Sequence, residues 1–343
     1  MTPGRFNELT KRYADLRIVV VGDFCLDRYL DVDPAREETS IETGLPVHNV
    51  TGVRSQPGAA GTILNNLVAL GVGTVIPVGF CGEDGEGWEL LRALRCIRGV
   101  DLGSFVQTGQ RRTFTYTKPL IHEPDRPPRE LSRLDLKNWT PTPTQVEEKI
   151  TAALLALAGE ADAVIVMDQV DNAETGVVTD RVRNVLREIA ATHPTLPILA
   201  DCRRGLHGWP PCIWKMNARE LSVLDGVLES NQPAVLDATA RLARANGCPV
   251  FVTLAERGIC GADSTGNATH VPAPPIRGEI DIVGAGDSVS ANLATALAAG
   301  ADVREAMELA MAAASIVVHQ VGTTGTASVN EMRDVLFPSE RPD

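Results

Sequence analysis

Asp281-Ile282-Val283-Gly284-Ala285-Gly286-Asp287-Ser288 joins two different kinds of sequence. Upstream, Arg277-Gly278-Glu279-Ile280 reads as the end of a strand or loop. Downstream, residues 289–299 are apolar and Ala-rich, a helix by composition. Gly-Ala-Gly-Asp therefore sits where a loop becomes a helix. Glycines there let the backbone turn its N–H groups toward a common point, and the helix N-terminus adds partial positive charge. Such a turn suits an anion such as a phosphate. A carboxylate held beside it can accept the proton of an attacking hydroxyl. Asp is also a good helix N-cap, and spacing alone leaves both roles open for Asp287.

Outward from this turn the chain alternates between strands and helices. Residues 17–22, Arg-Ile-Val-Val-Val-Gly, form a β-branched run closed by glycine, the pattern of a strand buried on both faces. Further strands are expected at 74–80, 163–167, 198–200, 213–216 and 250–254. Helices are expected within 1–16 and at 63–70, 88–98, 146–157, 175–192, 234–246 and 307–318, with another beginning at Asn217. Alternation of this kind implies an α/β fold, a mainly parallel central sheet flanked by helices. The first strand runs into Asp23 and Asp27, and others end at Asp168 and Asp201. Strand ends of this sort are where open α/β sheets bind ligands. Asp27 reads as a group for sugar hydroxyls or as a turn acid.

Two passages break the alternation. Residues 30–54 carry Pro34, Gly44 and Pro46 as punctuation, with a strand at 46–50. Residues 114–121 alternate in strand fashion, and 131–134 form a further short strand before Asp135. Together, about 30–54 and 114–135 would form a small β-sheet lid on a single domain spanning 1–343. Lys118 and Arg133 decorate this lid, as ligand groups or as solvated surface charge. Residues 126–129, with Pro124, Pro127 and Pro128 nearby, read as a mobile loop. Gln56-Pro57-Gly58-Ala59-Ala60-Gly61-Thr62 reads as a turn opening a helix, its small residues allowing close approach of a ligand or of a neighbouring strand. Glu83 and Asp84 read as turn and capping residues.

Composition narrows the function. A formal net charge of −12 disfavours a nucleic-acid surface. The seven cysteines are dispersed with no C-x-x-C pair, and the six histidines form no metal-ligand spacing. The thiols therefore read as reduced core residues. The first 16 residues lack the apolar core of a signal peptide, and no stretch reaches the length of a membrane span, so a cytoplasmic location is expected.

With these residues in view, the chain resembles the ribokinase-like (phosphofructokinase B type) carbohydrate kinases over most of its length. The signature is Asp281-Ile282-Val283-Gly284-Ala285-Gly286-Asp287. The resemblance implies Asp287 as catalytic base and the amides of Gly284, Ala285 and Gly286 as an anion hole. Asn217-Ala218-Arg219-Glu220 matches the family's Asn-x-x-Glu motif, implying that Asn217 and Glu220 organise Mg²⁺ indirectly, through water and phosphates. Thr253-Leu254-Ala255-Glu256-Arg257-Gly258 matches the nucleotide-binding strand and turn, so Thr253, Ala255, Gly258 and Asp281 are expected at the nucleotide. Asp27, Gly58, Ala59, Thr62, Asn65, Lys118 and Arg133 are expected at the acceptor.

Within the family the chain is most similar to kinases that phosphorylate heptose 7-phosphate. The passages responsible are 22–29, 57–60, 131–135 and Val321-Gly322-Thr323. Some of those relatives carry a fused nucleotidyltransferase; none is expected in this chain, which ends too soon to hold one. ATP and Mg²⁺ are the implied cofactors, a monovalent cation is a further candidate, and a homodimer through the lid is implied. Departures cluster at the acceptor. Gly58-Ala59 then Thr62 stand where Gly-Gly and Asn are usual, and Ala255 replaces a usual Gly. Residues 202–205 differ from Pro-Lys-Gly. The expectation is an ATP-dependent kinase for a sugar or sugar phosphate. Fructose phosphate, ribose and nucleosides remain alternative acceptors, and a non-catalytic sugar- or nucleotide-binding regulator is the alternative from another class.

Overall fold

Val19, Val20 and Val21 are fully buried, which requires cover on both faces of their strand. The computed structural model, which describes all residues except 124, 125, 127 and 339–343, supplies that cover. Arg17–Gly22 lies inside a nine-stranded sheet, paired in parallel with Ala163–Asp168 on one side and Thr74–Gly82 on the other. From Ala163–Asp168 the sheet continues in parallel through Ile198–Cys202, Ile213–Asn217 and Val250–Thr253. It then ends in two antiparallel strands, Ile259–Ala262 and Ala268–Val271. At the opposite edge Phe105–Thr108 pairs with Thr74–Gly82. These last three strands and the helix Val329–Leu336 were not anticipated from sequence; each is short.

Two apolar cores fill the two faces. One joins the leading helix Pro3–Lys11 to Ala60–Ala69, Ala285–Ala298 and Val303–Val317 through Phe6, Leu64, Leu293 and Ala310. The other packs Thr144–Leu157, Asp180–Thr192 and Gln232–Asn246 through Ile150, Leu186 and Val235. Residues 288–296 are buried all round, which their small side chains permit. Among the described residues, no helix is long and apolar enough to cross a membrane.

A separate mixed sheet stands off the body. Its order is Leu134–Leu136, Phe114–Ile121, Phe24–Val32, Val50–Ala59, with Arg129–Glu130 paired to Phe114–Ile121. It reaches further toward the body than the expected 30–54 and 114–135. Strand pairing explains this, because Phe24–Val32 pairs with Val50–Ala59 from Phe24 opposite Ala59 outward. The expected turn at 56–62 is accordingly the end of a strand passing straight into a helix at Ala60. Of the expected 126–129 loop, Pro127 and its neighbour Pro124 lie outside the described residues.

The helix expected at 175–192 starts only at Asp180. Asp23 explains the delay: its buried carboxylate accepts N–H bonds from Gln169, Val170 and Val177 at 2.8, 3.2 and 2.7 Å. Those amides are satisfied by a distant side chain, so 169–179 stays a loop pinned against the first strand. Burial, followed by the neighbouring Asp168, pushes the Asp23 carboxyl up to about 7. The cysteines are all free, but Cys96 is exposed and not a core thiol.

Candidate active site

The Gly284 turn is built by local chemistry. Gly284 adopts φ +83°, which an L side chain resists, and the helix starts at Ala285. The Asp281 carboxylate accepts from Val283 N at 3.0 Å and Gly322 N at 3.2 Å, tying the turn to the 320–326 segment. The amide of Ala285 is used by Ile282 O at 3.2 Å. Those of Gly284, Gly286 and Asp287 have no acceptor among the described residues. The open donors at the helix N-terminus are thus Gly284, Gly286 and Asp287, where Gly284, Ala285 and Gly286 were expected.

Asp287 lies in the first turn of the helix but caps nothing; Gly284 is the N-cap, without a side-chain bond. Its carboxylate instead lines a pocket of about 220 Å³ together with Asp27, Ala59, Thr62, Lys118 and Arg133. Burial pushes the Asp287 carboxyl up to about 7, assisted by Asp201, opposed by Lys215 and raised slightly further by Asp27. A carboxyl poised there is matched to proton transfer near neutrality. Geometry therefore favours the reading in which Asp287 accepts a proton.

On the other side of the turn lies a larger pocket of about 600 Å³. Gly286 and Ala285 line it, as do Asn217, Thr253, Ala255 and Gly258. Ile276, Ile280, Ile282 and Val289 give it apolar walls. Glu220 and Asp281 lie outside this lining. Glu220 and Asn217 form a reciprocal capping box, each side chain accepting the other's backbone N–H at 2.8 Å. That occupies one oxygen of each and leaves the second Glu220 oxygen uncommitted. Burial raises the Glu220 carboxyl above its usual range. Among the described residues no cluster of three or more His, Cys, Asp or Glu could cage a metal. A divalent ion here would therefore depend on ligand oxygens and water, which suits Mg²⁺ accompanying a phosphate chain.

The acceptor-side pocket is organised by Asp27. Its carboxylate lies 3.6 Å from Lys118 Nζ, and both side chains are largely buried. Burial raises the Asp27 carboxyl, with Lys118 opposing. A Cβ on Gly58 would lie 2.6 Å from Asp27 Oδ2, so only glycine fits behind this carboxylate. Gly58 backs the pocket without lining it, and Asn65 does not line it either; the next residue, Asn66, is fully buried and donates to Thr62 O at 2.9 Å.

Both Gly-to-Ala departures fall on unusual backbone. Ala59 sits at φ 52°, ψ −114°, and Ala255 at φ 53°. A Cβ is disfavoured at both, so the departures add strain.

Sequence reasoning missed several residues. Tyr116, Lys137, Gln169, Asp171, Arg203 and Thr324 also line the acceptor-side pocket. Arg133 forks onto Asp135 at 2.7 and 2.8 Å, and Lys137 lies 3.7 Å from Asp135 and 2.7 Å from Asp171. Arg203 reaches Asp171 at 3.3 Å. Three cations thus share two carboxylates. Beneath Gly286, buried Lys215 bonds Asp201 at 2.6 Å, and Ser290 Oγ donates to the same Asp201 oxygen at 2.9 Å. Against the effect of burial, Asp201 keeps Lys215 above its usual value and hence charged. A Cβ on Gly286 would lie 3.2 Å from Lys215 Nζ. A lysine inside the apolar strand Ile213–Asn217 was the sequence signal for this group; the others are joined only by tertiary contact.

Comparison with known proteins agrees with this geometry. The profile of the pfkB family carbohydrate kinases matches residues 15–330. The bifunctional protein HldE of Bradyrhizobium sp. (strain ORS 278) is 30% identical over 340 residues, covering 96% of this chain. That of Hyphomonas neptunium is 30% identical over 335 residues, covering 97%. The chain spans 66% of the length of each. Among solved structures, phosphofructokinase-2 from Escherichia coli in complex with substrates and products superposes with a TM-score of 0.73 at 18% identity, covering 93% of this chain and 98% of that one. Arabidopsis thaliana ribokinase complexed with ribose and ATP gives 0.65 at 19%, covering 94% and 97%. Likeness at that identity establishes the shared fold.

Proposed function

The chain belongs to the pfkB family of carbohydrate kinases, phosphotransferases with an alcohol group as acceptor, and on that premise we propose that it transfers the γ-phosphate of ATP to a hydroxyl of a sugar phosphate, a heptose 7-phosphate-like acceptor being favoured. The observation that carries the reading is the placement of one turn between two pockets. Gly286 faces the larger, largely apolar one and Asp287 the smaller, charged one.

In this reading the nucleotide lies against Thr253, Ala255 and Gly258, with its terminal phosphate at the open amides of Gly284, Gly286 and Asp287. Charged Lys215 below them adds positive potential where negative charge builds up. Glu220 and Asn217 would hold Mg²⁺ through water, and the ion would supply neutralisation of phosphate charge. Asp27 orients the sugar hydroxyls, and Asp287 takes the proton from the attacking oxygen. The odd positive charge among Arg133, Lys137 and Arg203 supports an acceptor that carries a phosphate. The small sheet acts as a lid that excludes water during transfer. Val53 on this sheet is exposed, as are Ile41 and Leu45 in the turn of the separate hairpin that pairs Glu38–Thr39 with Pro46–Val47, and this apolar exposure supports pairing of two copies in a homodimer.

ADP release with Mg-ATP, measured across sugars, sugar phosphates and nucleosides, tests the reading. Turnover should favour a phosphorylated sugar and fall at least ~100-fold in Asp287→Asn, with nucleotide affinity retained. Near-normal turnover in that variant would remove Asp287 from the mechanism. Binding of sugar and nucleotide without any turnover would favour a regulator.

A further inference from the structure

The lid is anchored to the body at its base by Glu89, which bonds Arg28 at 2.8 Å and Ser55 at 2.7 Å. These residues lie on Phe24–Val32 and Val50–Ala59, away from the turn that carries Asp287. A second connection is different in kind. Gln56, directly across the sheet from Asp27, donates from Nε2 to Thr324 Oγ1 at 2.6 Å. Its Oε1 accepts from Thr323 Oγ1 at 3.5 Å. Thr324 lines the acceptor-side pocket, and its Cβ lies 3.4 Å from where a Cβ on Gly284 would stand.

The 320–326 segment that receives Gln56 is itself fixed from below. Gln320 exchanges bonds with both backbone groups of Thr326, at 2.8 and 3.1 Å, and Asp281 holds Gly322. Asp281 also shapes the Gly284 turn through Val283. Gln56 therefore connects the strand carrying the acceptor site to the segment that braces the phosphate turn. Because Gln56 occupies a lone pair of Thr324 Oγ1, the Thr324 proton is left to point elsewhere.

We propose that Gln56 is a positioning residue, whose amide latches the lid onto Thr323 and Thr324 so that the acceptor and the Gly284–Asp287 turn are brought into register. This goes beyond the assignment of kinase activity by naming the contact that couples lid position to the turn. A neutral side-chain hydrogen bond shifts an equilibrium by about fivefold, enough to bias the lid shut while letting it reopen. Charged partners in the same place would hold longer and slow release.

The test uses the full chain and the variants Gln56→Leu, Thr324→Val, their double, and Thr324→Ser. Each single loss should raise acceptor-free Mg-ATP hydrolysis relative to phosphoryl transfer about fivefold, with Mg-ATP affinity unchanged. The double variant should be no worse than Gln56→Leu alone, because that substitution already removes the bonds to both threonines. Thr324→Ser, which keeps the hydroxyl, should restore the wild-type ratio of hydrolysis to transfer and the wild-type exchange of 24–32 and 50–59. Amide hydrogen exchange in 24–32 and 50–59 should accelerate by a similar factor, while 163–168 stays protected. Additive effects, or lid exchange that does not change, would overturn the latch. A wild-type protein that transfers phosphate to no acceptor would refute the kinase reading, and the exchange comparison would still decide the latch.

Discussion

Replacing Ala59 by glycine should stabilise the protein, and the size of the effect follows from its backbone. At φ 52°, ψ −114°, Ala59 lies outside even the small left-handed helical region open to L residues. Holding a Cβ there costs about 2–3 kcal/mol, the upper part of the range for strained backbone. Glycine removes that strain but enlarges the freedom of the unfolded chain, a loss of about 0.4–1 kcal/mol. The net gain is about 1–2.6 kcal/mol. For 343 residues the unfolding entropy is about 0.7 kcal/mol/K, so Tm should rise by about 1.5–3.5 °C. Differential scanning calorimetry measures this directly. Ala291→Gly, at a buried helical position, is the control and should lower Tm through lost helix propensity and packing. Ala59 also lines the acceptor-side pocket, so the glycine variant gains room for a methyl group beside the acceptor. Higher Tm with altered acceptor KM is the expected pair of results. A fall in Tm as large as the control's would refute the strain argument.

Three further outcomes follow from the site. The acidic limb of kcat/KM should titrate near pH 7, because Asp287 must lose its proton to act; Asp201→Asn should move the limb to lower pH and Lys215→Met to higher pH, read from pH–rate profiles. Folding raises the Asp287 pKa, so stability is lost as pH rises from the unfolded value toward about 7. Asp287→Asn should therefore melt no lower than wild type at pH 8 while losing activity, a comparison made by calorimetry and ADP release. Gly58→Ala would place a Cβ 2.6 Å from Asp27 Oδ2 in a buried site; acceptor KM should rise at least ~10-fold with Mg-ATP affinity unchanged by titration calorimetry.

Legibility from sequence depended on how local each feature was. The Gly284–Asp287 turn, the β-branched strands and the Asn217–Glu220 capping box are specified by residues within a few positions of each other, and each stands where local patterning placed it. The helix expected from 175 starts five residues late because Asp23, some 150 positions earlier, holds Val177 N in the preceding loop and Thr179 takes the N-cap. Proline and glycine punctuation marked the small second sheet, but its full reach came from strand pairing, which links 24–32 to both 50–59 and 114–121.

The sequence by itself determined the α/β alternation, the glycine-rich turn at a helix start and the presence of an acid at its end. It left Asp287 divided between capping a helix and accepting a proton. Tertiary structure removed the capping role, since Gly284 takes the cap, and it set Asp27, Asp201 and Lys215 around the carboxylate from three distant segments. It also gathered Arg133, Lys137 and Arg203 at one rim. The reason is physical: hydrogen-bond geometry along a turn is set by neighbouring dihedrals, whereas the field and desolvation that set a pKa depend on every charge and surface brought near it by folding.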